Sequence, residues 1–351
     1  MVLPGITQIL EAIDTELLEF TRTRAIELQR IDSHLAPVAA ALTDFITDGG
    51  KRFRPIFAYL GYLGAGAAPS ERALRACAAL ELVHVCALIH DDVMDGSDSR
   101  RNKPALHKHF EALHTSSNYS GNPEKFGVAA AILFGDLALS WSDQMISESG
   151  VDANRALPIF YEMRAELMAG QYLDVLEGAI ASSNLERSRK IARYKSGKYS
   201  IERPLQFGAA LAEGSPELQK VFSDYGLPLG EAFQLRDDIL GVFGDSSVTG
   251  KPSGDDIREG KRTVLMALTA KKMSETDHAL LKSALGNPNL DNSQVAQIQE
   301  LVKDSGALAE CEELIERLLQ EALNSLKHPA LNDDVAKHLS EMAVAATNRE
   351  S

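Results

Sequence analysis

Residues 72–95 read RALRACAALELVHVCALIHDDVMD, and the fold is decided here. Leu74, Leu80, Leu82, Val83, Val85, Leu88 and Ile89 make the stretch apolar on most faces, which predicts a helix over 72–94 buried among other helices. Working outward, Ile9, Ile13, Leu17 and Phe20 near the start and Leu314, Leu318, Leu319, Leu323 and Leu326 near the end keep the helical period. Strand signals are scarce, with no Asn-Gly or Asp-Gly flanked by alternating β-branched residues, so a Rossmann or barrel architecture has little support. Loops are marked at 64–69, 115–123, 214–216 and 241–260 by Gly, Pro, Ser and Asn. No linker divides the chain, and the expectation is one all-α domain over 1–351.

The 351 residues carry 36 Lys plus Arg against 50 Asp plus Glu, a formal charge of −14. With 44% hydrophobic and 25% charged residues the proportions are globular, and disorder or a disulfide scaffold fits poorly. A chain this long buries about three quarters of its unfolded surface, so a core forms without staples. Nothing approaches 18 consecutive apolar residues, the run 128–134 is too short to span a bilayer, and the N-terminus lacks a basic signal region. No transmembrane segment and a cytoplasmic location are expected. Cys77, Cys86 and Cys311 have no metal-ligand spacing and read as core residues. The acidic balance disfavours nucleic acid as a partner, and an anionic substrate would need local cations or metal.

The end of the opening helix supplies the first chemistry. Asp91 and Asp95, four apart, share a helical face and the negative end of the macrodipole, an arrangement that is costly unless a cation occupies it. Hard oxygen donors of this kind suit magnesium, which takes one or two protein carboxylates and keeps several waters. Alone, such a run is more often a solvated helix end. A second pair, Asp237 and Asp238, also closes an apolar helical run, and carboxylates from two helices are how a helical bundle builds a polynuclear metal site.

The third constellation is basic. Gly49-Gly50-Lys51-Arg52-Phe53-Arg54-Pro55 sets three cations after two glycines, Arg100-Arg101 and Lys103 follow the first acidic motif, and Lys251, Lys261 and Arg262 surround the second. Guanidinium groups grip phosphate oxygens bidentately and lysine adds a point charge. Any one of these is an ordinary surface charge; their clustering beside both acidic motifs points to anionic oxygen. The segment 244–251 is not a phosphate loop, because Pro252 stands where Ser or Thr is required and no strand precedes it. A His-Asp phosphohydrolase centred on His90-Asp91 leaves the basic motif and the second acidic pair unexplained.

Taken together, Gly49-Gly50-Lys51-Arg52-x-Arg54-Pro55, Asp91-Asp92-x-x-Asp95 with Arg100-Arg101, Phe233-Gln234-x-x-Asp237-Asp238, Gly250-Lys251, Asp255-Asp256 and Gly260-Lys261 resemble the trans-isoprenyl diphosphate synthases, the polyprenyl synthetase family. The resemblance covers a motif-bearing core of about 45–265, flanked by N-terminal helices in 1–40 and C-terminal helices in 270–351. It implies a helical bundle around a central cavity, a homodimer, and condensation of isopentenyl diphosphate with an allylic diphosphate using three magnesium ions. Asp91 and Asp95 would hold two ions and Asp237 the third; Asp92 belongs to the motif but is assigned no ion. Arg100, Lys195, Lys251 and Lys261 would bind the allylic diphosphate, and Lys51, Arg54, His84 and Arg101 isopentenyl diphosphate. Lys195, Ser196 and Gln234 match the positions whose oxygens face the carbocation, and the glycine-rich segment after Asp238 matches a closing lid.

Two departures stand out: Gly241 replaces the third aspartate many members carry, and Ser196 replaces a common Thr. Neither removes a group the mechanism needs. Cys86 and Ala87, the fifth and fourth residues before Asp91, are small where shorter-product members carry a bulky block, so geranylgeranyl diphosphate is the expected product, with a longer-chain polyprenyl or a farnesyl diphosphate as the alternatives. The same two residues also suit close helix packing. Among rivals, a terpene cyclase needs no second diphosphate pocket, and a non-catalytic prenyl diphosphate-binding subunit would lack one acidic motif.

Overall fold

Ser70 and Gly96 bracket the helix that the opening stretch predicts. The Ser70 side chain accepts from the Ala73 N–H, and Gly96, at φ 68°, closes the far end in the left-handed conformation. The computed structural model describes residues 3–181, 183–244 and 253–348. Lys251 and Gly250 lie outside them. Packing divides the chain into two units, Met1–Leu157 with Pro204–Ser215 and Pro158–Arg203 with Pro216–Ser351.

The first unit contains helices α1 (Ile6–Ile31), α2 (Ala36–Thr47), α3 (Phe53–Gly64), α4 (Glu71–Asp95), α5 (Leu106–Ser116) and α6 (Pro123–Glu148), with a hairpin of β1 (Ser99–Arg100) and β2 (Lys103–Pro104) between α4 and α5. Helix α4 is its centre, packed by α1, α2, α3, α5 and α6. Leu74, Leu80, Leu82, Val83, Val85 and Ile89 are all buried, as the apolar reading expects. Ile9, Ile13, Leu17 and Phe20 of α1 are buried too. Helices α4 and α6 reach the length and mean hydropathy of a membrane span, a test that core helices also pass; α4 is mostly buried in protein. Helix α9 (Arg203–Leu211) returns to α3. A Cβ on Gly208 would sit 1.6 Å from the Ala58 carbonyl oxygen, so the two backbones meet where no side chain fits.

The second unit is built on α10 (Pro216–Phe243), with α7 (Leu157–Ile180), α8 (Leu185–Ile191), a π-helix (Ala192–Glu202), α11 (Asp255–Glu259), α12 (Val264–Lys272), α13 (Glu275–Ala284), α14 (Asn292–Asp304), α15 (Ala307–Ser325) and α16 (Asp333–Thr347). Leu235, Ile239 and Val242 of α10 pack into one core with Leu265 and Leu268 of α12 and with Cys311 and Ile315 of α15. The expected loop over 241–260 is therefore corrected at both ends. Ile239 and Val242 carry the buried face of α10 past Asp238 to Phe243, and α11 forms before Gly260. Among the described residues the hairpin of β1 and β2 is the one sheet, which makes the fold all-α. The three cysteines are buried and none is in a disulfide.

Candidate active site

In the first unit the last turn of α4 holds Asp91, Asp92 and Asp95, but not equivalently. Asp92 is buried, and the Arg100 guanidinium donates to both its oxygens, from Nε at 2.8 and 2.9 Å and from Nη2 at 2.6 Å. Asp91, about a fifth exposed, lies 4.0 Å from the same guanidinium, and Asp95 is half-buried. The hairpin explains how Arg100 returns. Arg101 and Asn102 both take positive φ, 52° and 61°, a two-residue turn that pairs Arg100 with Lys103. Sequence reading missed this turn because neither residue is glycine.

The same turn gathers the basic residues. Lys103 Nζ donates to Asp48 at 2.7 Å, and Arg101 Nη1 lies 3.4 Å from the carbonyl oxygens of Asp48 and Gly49. On α4, His84 is held well below its ordinary imidazole range by burial and then by the charges of Arg54, Arg101, Arg100 and Arg52. Arg54 and Arg101 are thus near enough to act on His84, while Lys51 is exposed. Arg101 is itself lowered by burial, with Arg52 and Arg100 pressing the same way against the pull of Glu81. Arg52 behaves differently: it is buried and bonded to Asp14 at 2.8 Å, Glu81 at 2.7 Å and the Ile46 carbonyl at 2.8 Å.

Further back on α4, Cys86 is buried and its Sγ lies 3.7 Å from His90 Nδ1; Ala87 is part-exposed. The other His90 nitrogen lies 3.1 Å from the Ile132 carbonyl oxygen of α6. Gly135 makes room for that ring, since a Cβ there would fall 2.1 Å from His90 Nε2.

In the second unit, Lys195 and Ser196 sit in the π-helix, a form that sequence periodicity does not reveal and that recurs at functional sites. Its backbone is approached from two sides. A Cβ on Gly170 of α7 would lie 2.5 Å from the Lys195 nitrogen, and one on Gly230 of α10 would lie 2.4 Å from the Gly197 Cα. Lys195 Nζ donates to Asp174 at 2.6 Å. Asp174 escaped the sequence reading; its signal is a carboxylate four residues after Gly170 in a largely apolar helix.

Helix α10 presents Gln234, Asp237 and Asp238. Gln234 Nε2 donates to Asp238 Oδ1 at 2.7 Å, and the Val264 N–H, at the N-terminus of α12, lies 3.3 Å from Oδ2. Burial pushes the Asp238 carboxyl up to about 8, Asp256 and Asp237 push the same way, and the two donors oppose them. Asp256 reaches this group because position 241 is glycine: a Cβ on Gly241 would stand 2.0 Å from Asp256 Oδ2. Lys261 closes the segment, 2.9 Å from Glu259 and 3.9 Å from Asp256.

Among the described residues no three His, Cys, Asp or Glu side chains form a ready metal cluster. The donor set still fits magnesium: each unit offers carboxylates rather than nitrogen or sulfur, and their crowding at Asp238 marks a place where positive charge is favoured.

Residues 36–302 match the family model described as Polyprenyl synthetase. The chain is 32% identical over 259 residues to the short chain isoprenyl diphosphate synthase of Methanocaldococcus jannaschii, covering 73% of each protein. It is 30% identical over 308 residues to the geranylgeranyl diphosphate synthase of Sulfolobus acidocaldarius, covering 85% of this chain and 87% of the relative. Among solved structures, the geranylgeranyl pyrophosphate synthase of Corynebacterium glutamicum, complexed with isoprenyl diphosphate and magnesium, aligns at a TM-score of 0.95 and 38% identity over 99% of this chain and 100% of its own. The match runs through both units and includes every motif described above, and on that footing the chain belongs to the polyprenyl synthetase family.

Proposed function

We propose that this protein is a magnesium-dependent trans-prenyltransferase that joins isopentenyl diphosphate to dimethylallyl, geranyl or farnesyl diphosphate and makes geranylgeranyl diphosphate as its main product. The observation that carries the reading is the C-terminal half of α4 and what surrounds it. There Arg54 of α3 and Arg101 of the hairpin turn bring positive charge to bear on His84 of α4, and the acidic pair, Asp91 and Asp95, follows on the same helix from seven residues further on. Two anionic substrates, one held by cations and one by metal, are what such a juxtaposition serves.

Asp91, Asp95 and Asp237 would hold the ions, and magnesium when bound supplies positive charge to the departing diphosphate. Arg100, Lys195, Lys251 and Lys261 add fixed cations for the allylic diphosphate. Lys195 is kept in place by Asp174 until substrate competes for it. The allylic carbon–oxygen bond breaks with its electron pair leaving on diphosphate, and the double bond of isopentenyl diphosphate forms the new carbon–carbon bond. The proton then lost from the five-carbon unit passes to the released diphosphate. Gln234 is oriented for the cationic carbon: its amide nitrogen is engaged by Asp238, which leaves the amide oxygen as the negative end of the dipole. The Lys195 carbonyl and the Ser196 hydroxyl add oxygens of the same polarity. Water must be excluded, or the cation is quenched.

Small side chains at Cys86 and Ala87, with Val83 and Leu80 deeper on α4, support a product of twenty carbons. The family match across both units supports treating 1–351 as one synthase domain. Exposed Phe126, Ile132 and Leu133 on α6 give a homodimer an apolar face to bury. A cytoplasmic location is part of the same proposal. The test is direct: purified protein, magnesium, isopentenyl diphosphate and each allylic primer in turn, with product length read by chromatography. Elongation that stops with chelator and returns with magnesium is expected; elongation that survives thorough chelation overturns the reading.

A further inference from the structure

Lys51, Arg52 and Arg54 stand within four residues of one another, yet the structure gives Arg52 a different task. Its side chain is 1% exposed. Nε donates to Asp14 of α1, Nη1 to Glu81 of α4, and Nη2 to the Ile46 carbonyl near the C-terminus of α2. Three donors of the guanidinium fork are thereby committed inside the protein, in directions set by three different helices. The backbone bends to allow it. Gly49 and Gly50 have φ of 70° and 131°, and Arg52 itself takes φ 45°, a left-handed conformation that a side chain adopts only when its surroundings demand it.

This buried fork lies against the turn that Arg101 also touches. A Cβ on Gly50 would lie 3.5 Å from Arg101 Nη2 and 3.6 Å from Arg52 Nη1, so both guanidiniums close on the same turn. The Arg101 fork lies against the carbonyl oxygens of Asp48 and Gly49, the residues that open that turn. Glu81 precedes His84 by three residues on α4, about one helical turn. Asp14 and Glu81 set two carboxylates against the one charge of Arg52, which is thereby tied inside the protein.

We propose that Arg52 is a positioning residue that, clamped by Asp14 and Glu81, fixes the turn presenting Lys51, Arg54 and Arg101 to isopentenyl diphosphate, and that α1 is thereby part of the substrate-binding apparatus. Helix α1 lies outside the family match, which begins at residue 36, so motif reading alone gives it no such role. The inference rests on the assignment of Lys51, Arg54, His84 and Arg101 to isopentenyl diphosphate, and the experiment separates the two.

Steady-state constants for each substrate, with isothermal titration of isopentenyl diphosphate into the magnesium-containing protein, are measured for Asp14→Asn, Arg52→Lys, Lys51→Ala and Arg54→Ala. Asp14 is 46% exposed on its side chain, so its amide variant folds. It should raise KM and Kd for isopentenyl diphosphate about fivefold, the loss of a pair worth ~1 kcal/mol, with kcat and the allylic KM unchanged. Arg52→Lys keeps the charge but not the fork, and should raise them about tenfold or more without rescue. If Lys51→Ala and Arg54→Ala raise the isopentenyl constants while Asp14→Asn leaves them alone, the strut is wrong and the pocket stands. If Asp14→Asn moves both substrates' constants in step with the melting temperature, Arg52 merely braces the fold and the proposal is overturned. If Lys51→Ala and Arg54→Ala change nothing, the pocket assignment fails and takes the strut with it.

Discussion

The two acidic motifs present the same Asp-Asp pair, and the structure treats the second aspartate of each in opposite ways. In the first unit, Asp92 is a buried carboxylate whose oxygens are both taken by the Arg100 guanidinium. In the second, Asp238 is equally buried but among the described residues meets neutral donors, the Gln234 amide and the Val264 N–H, with Asp256 and Asp237 nearby, and its carboxyl is pushed up to about 8. One motif balances its inner charge with a fixed cation; the other discourages the charge from forming until something positive arrives. The difference teaches that a motif's inner aspartate orders its own unit, while the outer ones, Asp91, Asp95 and Asp237, are those proposed to hold metal.

The largest break in that comparison is at the outer positions. Asp91→Ala and Asp237→Ala should each lower turnover by about a thousandfold or more, the scale of losing a principal electrostatic contribution to the transition state. Neither should lower the melting temperature, because removing one of several crowded carboxylates relieves repulsion in the metal-free protein. A loss of activity that merely tracks unfolding would remove both residues from the site.

The inner positions should then separate on stability. Asp92→Asn leaves Arg100 short of its counter-charge in a buried place and should cost about 3–5 kcal/mol in denaturant unfolding. Asp238→Asn keeps a neutral, hydrogen-bonding side chain and should cost far less at neutral pH. The sign with pH sharpens the contrast. A carboxyl whose folded pKa lies above its unfolded value of 3.8 keeps a proton that the unfolded chain has released. Its contribution is therefore full below about pH 4 and is lost as pH rises through about 8. The metal-free wild-type should lose stability across that window, and Asp238→Asn should flatten the loss; parallel profiles would show that Asp238 is ionised throughout.

A smaller effect is expected where the second motif departs from its relatives. Gly241→Asp drives a Cβ into Asp256 and should destabilise by about 1–3 kcal/mol through overpacking. Gly241→Asp combined with Asp256→Gly should recover most of it. If the single variant is as stable as the parent, Gly241 is not what admits Asp256 to the acidic group.

The smallest effect on stability, though not on product, concerns α4 itself. Cys86→Phe should shorten the main product by one five-carbon unit with turnover preserved, read by chromatography of the dephosphorylated alcohols. Unchanged chain length would make Cys86 a packing residue toward His90 and nothing more.

Much of this was legible in the sequence, and the failures have physical causes. The central helix was readable because apolar residues on most faces have no alternative to burial, and Ser70 and Gly96 mark its ends. The segment after Asp238 was misread because glycine signals a loop unless packing claims it. Ile239 and Val242 keep α10 helical, and Gly241 serves as space for a carboxylate. The hairpin carrying Arg100 and Arg101 had no glycine to announce it, since its positive φ values fall on Arg101 and Asn102. The π-helix under Lys195 was invisible because its register is set by neighbours, Gly170 and Gly230, whose missing side chains let two backbones approach.

The sequence by itself determined which kinds of charge this protein owns and at what spacing along each helix, since both follow from composition and the helical period. Only the tertiary structure decided which of those charges are committed inside the protein. By residue type and neighbourhood Arg52 and Arg54 are alike, and only the family motif separates them in the sequence; the partners that commit Arg52 lie 38 and 29 residues away in the chain, and a guanidinium already bonded inside the protein has its donors spent.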